Sequence, residues 1–278
     1  MKLYLDNDFK EFEEPVIMGI LNLTPDSFSD GGMFTSFDSA ISHAEVMIRS
    51  GASIIDVGGE STRPGASKVD INAEIDRVLP VIEKIKREFD VLISIDTYKD
   101  KVAELSVKEG GADIINDISA LSFSKDMADV VARLNVPVVL MHIKGTPEDM
   151  QKDPFYHDVI SELTDYFNER IRFAVSKGIK REKIIIDPGI GFGKRFKDNI
   201  EIIRNIDKLK SLNLPILIGL SKKSFLGTIS GIQDPYEREI ETVTANIISA
   251  NNGASILRVH NVENCARSLK VLKELNYS

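Results

Sequence analysis

Asp96, Asn116, Asp187 and Lys223 are the residues on which a chemical reading of this chain turns. Two carboxylates, an amide and an ammonium accept and donate hydrogen bonds in one plane if they converge. Such a set suits the amidine- or guanidine-like edge of a flat heterocycle. Asn22, Arg63, Arg258 and His260 form a second, cationic and polar group. Arginine meets phosphate oxygens with paired donors, so this group reads as an anion clamp. Singly, each residue has a plainer reading. Asp96 stands before Thr97 and a helix and has the position of a cap, Arg258 that of a surface ion pair, and His142 and His260 those of satisfied structural histidines.

Their common place in the chain argues against eight coincidences. Short runs rich in Ile and Val recur at Val16 to Leu21, Ser53 to Val57, Val91 to Ile95, Asp113 to Ile115, Val136 to Met141, Lys183 to Ile186, Pro215 to Ile218 and Ser255 to Val259. They are continuously apolar, as in a parallel sheet covered on both faces. Helical stripes lie between them, such as Ile71, Ile75, Val78, Leu79, Ile82 and Ile85, or Val262, Ala266, Leu269 and Leu272. Eight strand–helix repeats on 278 residues predict a (β/α)8 TIM barrel in a single domain, residues 1–278 with a core from about 15 to 275; a doubly wound open sheet is the rival. In such a barrel the active site lies at the C-terminal ends of the strands. Those ends carry, in order, Asn22, Asp56, Asp96, Asn116-Asp117, Met141-His142, Asp187, Ser221 with Lys222-Lys223, and Arg258-Val259-His260. Two long loops, Thr24 to Gly32 and Gly58 to Ala66, follow the first two runs and have the length of lids.

Composition removes several classes. Lys plus Arg number 35 against 43 Asp plus Glu, a net charge of −8, which argues against sequence-blind nucleic-acid binding. One cysteine, Cys265, makes no internal disulfide and sits on an apolar helical stripe. No run is long and apolar enough to span a bilayer, and the acidic stretch from Met1 to Glu14 resembles no signal peptide; a cytoplasmic setting is expected. The segment Asp187-Pro188-Gly189-Ile190-Gly191-Phe192-Gly193-Lys194 lacks the spacing and the Ser/Thr of a Walker A loop, there is no GxSxG elbow, and the four histidines show no HExxH pattern.

At these residues the chain resembles the bacterial dihydropteroate synthase family. The likeness runs from about Pro15 to the last helix. It rests on Met18-Gly19-Ile20-Leu21-Asn22-Leu23-Thr24-Pro25-Asp26-Ser27-Phe28-Ser29-Asp30-Gly31-Gly32 and Asp56-Val57-Gly58-Gly59-Glu60-Ser61-Thr62-Arg63-Pro64-Gly65. Ile95-Asp96-Thr97, Ile115-Asn116-Asp117, Leu140-Met141-His142, the Asp187 to Lys194 segment, Ser221-Lys222-Lys223-Ser224 and Arg258-Val259-His260 follow in family order. The resemblance implies a transferase that condenses a 7,8-dihydropterin 6-methylene diphosphate with 4-aminobenzoate, making dihydropteroate for folate synthesis. It also implies use of Mg2+, inhibition by sulfonamides, and a homodimer, with no nucleic-acid or membrane partner. Carried over by position, Asp96, Asn116, Met141, Asp187, Phe192 and Lys223 would hold the pterin. Asn22, Arg63, Arg258 and His260 would hold the diphosphate, with Asn22 at the metal. Phe28, Thr62, Pro64 and Ser224 would shape the aminobenzoate site. Catalysis would fall to Asp96, Asp187, Lys223 and Arg63, through dissociative loss of diphosphate. Lys222 and Asn261 depart from the family's usual Arg and Asp. A corrinoid-linked methyltetrahydrofolate methyltransferase would need neither the Ser61 to Gly65 loop nor Arg258-Val259-His260, and a non-catalytic pterin-binding paralogue would lack clamp residues.

Overall fold

The chain opens with a hairpin that the apolar pattern does not announce. In the computed structural model, which describes residues 1–6, 8–24, 33–62 and 68–276, β1 (Lys2–Tyr4) pairs antiparallel with β2 (Phe9–Glu11). The eight apolar runs then become eight parallel strands: β3 (Val16–Asn22), β4 (Ile54–Gly58), β5 (Leu92–Asp96), β6 (Ile114–Asp117), β7 (Val138–Met141), β8 (Ile184–Asp187), β9 (Leu217–Ile218) and β10 (Ile256–Val259). Their order is β8-β7-β6-β5-β4-β3-β10-β9. A parallel bridge between Ile186 and Ile216 brings the two ends of that order together, so the sheet closes as the TIM barrel expected from the sequence.

The helices follow their strands: α1 (Met33–Arg49), α2 (Ile71–Glu88), α3 (Asp100–Lys108), α4 (Met127–Leu134), α5 (Val159–Ser176), α6 (Phe196–Arg204), α7 (Ile206–Leu209), α8 (Ser224–Ser230), α9 (Glu239–Asn252) and α10 (Val262–Asn276). Helix α2 shows why they form. The Asp70 carboxylate accepts from the Asn72 amide and caps the first turn, and Val78, Ile82 and Ile85 bury the stripe seen in the sequence. Helix α10 buries Cys265, and burial pushes its thiol up to about 12, so it offers no thiolate. Asn261 keeps the capping role of an Asp at that position, since its Oδ1 accepts from the Asn264 amide at 3.0 Å.

Side chains of a barrel strand alternate between the helix layer and the interior. Ile17, Leu21, Ile55, Val57, Ile93, Ile95, Ile115, Leu140 and Ile186 face the helices. Val16, Met18, Ile54, Leu92, Ile114, Val139, Ile185, Leu217 and Ile256 fill the bottom of the interior. Leu3 of the hairpin completes that cluster, with Met1, Leu5 and Phe12 around it. The hairpin is therefore a plug. Burying Leu3 contributes about 2 kcal/mol and keeps water out of the lower barrel.

Candidate active site

Further along most of the strands, the interior changes character. Ile54 is followed inward by Asp56, Ile114 by Asn116, Val139 by Met141, Ile185 by Asp187 and Ile256 by Arg258. Leu92 leads through Ser94 to Asp96, and Arg258 to His260. An apolar floor thus carries a polar layer at the C-terminal mouth. Asp96, Asn116, Asp187, Lys223 and Arg258, chosen from the sequence as one site, all face it.

The centre of the layer is an ion-paired set. Arg258 Nε donates to Asp56 Oδ2 at 2.6 Å and its Nη2 to Asp96 Oδ2 at 2.6 Å. Asn116 Nδ2 donates to Asp56 Oδ2 at 3.2 Å. Asp56 is wholly buried and Asn116 nearly so. Burial pushes the Asp96 carboxyl up to about 7; Arg258 pulls it back and Asp56 adds to the rise. Asp187 is raised to about 6 by burial, against the Gly189 amide that donates to its Oδ1 at 2.7 Å and the nearby Lys223. Burial disfavours the Arg258 cation, but Asp56 and Asp96 outweigh it and hold the guanidinium charged. Two carboxylates near neutrality at one mouth are the usual mark of a functional site.

The loop after β8 supplies the opposite wall. Gly189 and Gly193 adopt φ of +66° and +65°, and a Cβ at either would run into the backbone carbonyls of His142 and Lys144. This tight path puts the Phe192 ring under Lys223, whose Nζ stands 4.3 Å from the ring centroid. Met141 and Phe192 belong to an apolar cluster with Ile118, Ile143 and Met150.

Behind this wall lies a residue the sequence reading passed over. Lys194 is buried, with Nζ 3.0 Å from His142 Nδ1 and donating to the Phe192 carbonyl at 3.0 Å. Its own burial and then the neighbouring lysine push the His142 imidazole well below its ordinary range, so it stands as a neutral ring in a structural position. Burial lowers Lys194 from 10.5 to about 7. The unfolded chain therefore holds this proton through a range where the folded chain gives it up, and stability rises with pH between those two values. Lys194→Met is expected to flatten the rise in melting temperature from pH 7 to 10 relative to wild type, in a thermal denaturation series; equal slopes would show that the lysine carries no such penalty.

The remaining expected residues divide in three. Asn22 ends β3 at the mouth: its Oδ1 and Asp96 Oδ2 flank Gly58, each within 4 Å of where a Cβ there would stand. His260 sits beside Ser221, Nδ1 to Oγ 2.9 Å, above Arg258. Thr62 is half-buried after β4, and Ser224 is exposed at the first turn of α8, next to Lys223. Arg63, Pro64 and Phe28 lie outside the described residues. Two side chains at the mouth have roles other than their sequence positions suggest. Asp96 caps no helix, because α3 begins at Asp100 after Lys99. Arg258 makes interior ion pairs instead of a surface one. Asp56 was missed as a site residue, although its place two residues beyond Ile54 was a usable signal. Asp117 turns outward, where its Oδ1 accepts from the Ser119 amide at 2.8 Å.

The model of the pterin-binding enzyme family matches residues 18–260 of this chain. The dihydropteroate synthase of Escherichia coli (strain K12) is 44% identical over 273 residues, covering 98% of this chain and 96% of its own. Among solved structures, the Yersinia pestis dihydropteroate synthase in a sulfonamide drug complex superposes with a TM-score of 0.94 at 39% identity, covering all of both chains. The Xanthomonas albilineans enzyme in complex with 7,8-dihydropteroate does so with a TM-score of 0.90 at 36% identity, also over all of both chains. With the described parts of the family's motifs converging on one barrel mouth, this chain belongs to the dihydropteroate synthase family of pterin-binding enzymes.

Proposed function

We propose that the protein condenses a 7,8-dihydropterin 6-methylene diphosphate with 4-aminobenzoate, giving 7,8-dihydropteroate and diphosphate, by a dissociative displacement. The observation that carries this is the ion-paired Asp56–Arg258–Asp96 set beside Asp187 at one mouth, with Asp56 wholly buried. Ring electrons expel the diphosphate: the exocyclic C–O bond breaks and its pair leaves on oxygen. Asp96 and Asp187, both ionised above neutral pH, stabilise the pterin cation that remains. Asn116 and Lys223 hold the ring edge, and Met141 with Phe192 its faces. Among the described residues Arg258 gives two of its five N–H groups to carboxylates, and with His260, Asn22 and Arg63 it draws on the leaving diphosphate. The neutral amine of aminobenzoate, held by Thr62, Pro64, Phe28 and Ser224, attacks the methylene carbon, and the ammonium so formed loses its proton to solvent. The relatives bound to a sulfonamide and to 7,8-dihydropteroate support this choice of ligands.

The donor set suits Mg2+ that reaches the site with its substrate. Magnesium keeps several waters and takes one or two protein oxygens plus phosphates. Asn22 Oδ1 at the mouth, beside Gly58, offers one such oxygen. When bound, the ion would neutralise charge on the diphosphate oxygens. Among the described residues no group of three acidic, histidine or cysteine side chains could hold a metal alone, which fits an ion carried by phosphate.

Diphosphate release measured with and without 4-aminobenzoate tests the reading. Release that requires the amine, accepts a sulfonamide as competing amine and fails after chelation is expected. No release would leave a binding module, and amine-independent release a leaking cation.

A homodimer is part of the proposal. Ile240 and Ile248 on α9 and Val271 and Leu275 on α10 are exposed on two helices that pack together. Sedimentation equilibrium is expected to give twice the chain mass, and Ile240→Glu with Leu275→Glu half of that; a wild-type monomer would end it. The compartment proposed is the cytoplasm, consistent with a buried lone cysteine and with no described helix long and apolar enough to cross a membrane; recovery in the membrane fraction would overturn it.

A further inference from the structure

We infer that Lys99 is a positioning residue for the loop that leaves β4, and that it acts through Glu60. The Lys99 ammonium donates to Glu60 Oε2 at 2.5 Å, to Glu74 Oε2 at 2.5 Å and to the Val69 carbonyl at 2.6 Å. All three of its N–H groups are thereby used. Glu60 stands two residues past the end of β4 and Val69 just before the Asp70 cap of α2. One cation therefore ties both ends of the loop to the first turn of α2. Tyr98 OH donates to the other Glu60 oxygen at 2.9 Å, and Arg77 holds the Gly59 carbonyl at 2.9 Å.

This cluster is costly for a structural staple. The side chains of Lys99, Glu60 and Glu74 are only 11%, 8% and 1% exposed, and two carboxylates share one cation. Glu74 Oε1 has no hydrogen-bond partner among the described residues, and burial raises the Glu74 carboxyl. Apolar side chains would join α2 to α3 at less expense, because desolvating each ion costs several kcal/mol. What apolar contacts cannot do is set direction. Three acceptors around one ammonium define where Glu60 points, and Thr62 follows two residues later.

The inference rests on the proposed function, and the test separates the two. Lys99→Met is expected to raise the KM for 4-aminobenzoate roughly tenfold or more. The dissociation constant of a pterin lacking the diphosphate, read by calorimetry, stays within about twofold, since Asp96, Asn116 and Asp187 are untouched. Amide hydrogen exchange at residues 60–62 rises, a readout independent of turnover. Lys99→Arg, which keeps a cation with several donors, recovers most of the KM. If Lys99→Met does not fold, Tyr98→Phe removes a single hydrogen bond to Glu60 and is expected to raise the same KM by about twofold to threefold. An unchanged KM with unchanged exchange at 60–62 overturns the inference, and so does equal weakening of pterin binding. Absence of amine-dependent release in the wild type overturns the proposed function instead, while exchange at 60–62 still decides the role of Lys99.

Discussion

Asp96→Asn is expected to lower kcat/KM by about a thousandfold, roughly 4 kcal/mol of transition-state stabilisation, in a protein that still folds. The amide keeps the shape of the carboxyl group and removes its charge where the pterin cation develops. Arg258 keeps its pairing with Asp56, so the barrel mouth is not left with a lone buried cation. The fold does not lean on the Asp96 charge either. Burial raises its folded pKa to about 7, above the ordinary 3.8. Whatever stability its protonated form contributes is present at low pH and is lost as pH rises through 7. At pH 8 the aspartate is a net burden, so the asparagine variant melts no lower than wild type. The same shift shapes the rate. Wild-type kcat/KM falls as pH drops through about 7 and then 6, when Asp96 and Asp187 take up protons, and the residual activity of Asp96→Asn lacks the upper of these steps. Steady-state kinetics from pH 5 to 9 with thermal melts checks both points. A rate near wild type at pH 8 would remove Asp96 from the chemistry.

Arg258→Met is expected to cost stability as well as turnover. It strips the cation from Asp56, which is wholly buried, and from Asp96. Removing one partner of a buried ion pair costs about 3–5 kcal/mol. The arginine side chain is one-fifth exposed, so the lower end, about 3 kcal/mol, applies. For a chain of this size that lowers the melting temperature by roughly 6–12 °C. Arg258→Lys recovers little, because a single ammonium cannot give Nε to one carboxylate and Nη2 to another. Adding Asp56→Asn to Arg258→Met returns part of the lost stability, since the uncompensated charge is gone. Melting temperatures of the wild type, the two single variants and the double variant test this; an Arg258→Met protein as stable as wild type would mean that the ion pairs do not carry the mouth.

Asp96, Asn116, Asp187 and Arg258 could be chosen from the chain because each stands at or near the end of an apolar run. A polar residue there has left the covered part of a parallel strand, and in a barrel all such ends open on one side. The motifs that carry the family resemblance lie on those same ends and the loops after them, so the activity was legible with them. The hairpin was not: Lys2–Tyr4 and Phe9–Glu11 are three-residue strands in acidic surroundings, and only the open bottom of the barrel gives Leu3 something to plug.

The linear pattern by itself determined where the strands run and which end of each holds chemistry, because apolar side chains are wanted on both faces of a covered sheet. Closure of the sheet decided which of two neighbours looks inward. Asn116 faces the site and Asp117 the helices, and a continuously apolar run contains no alternation from which to tell them apart. Closure also turned Asp56 toward Arg258, 202 positions later, and set Lys194 under Phe192 and Lys99 between two glutamates. Those are long-range choices, made where burying a charge is tolerable only beside a partner that distant parts of the chain supply.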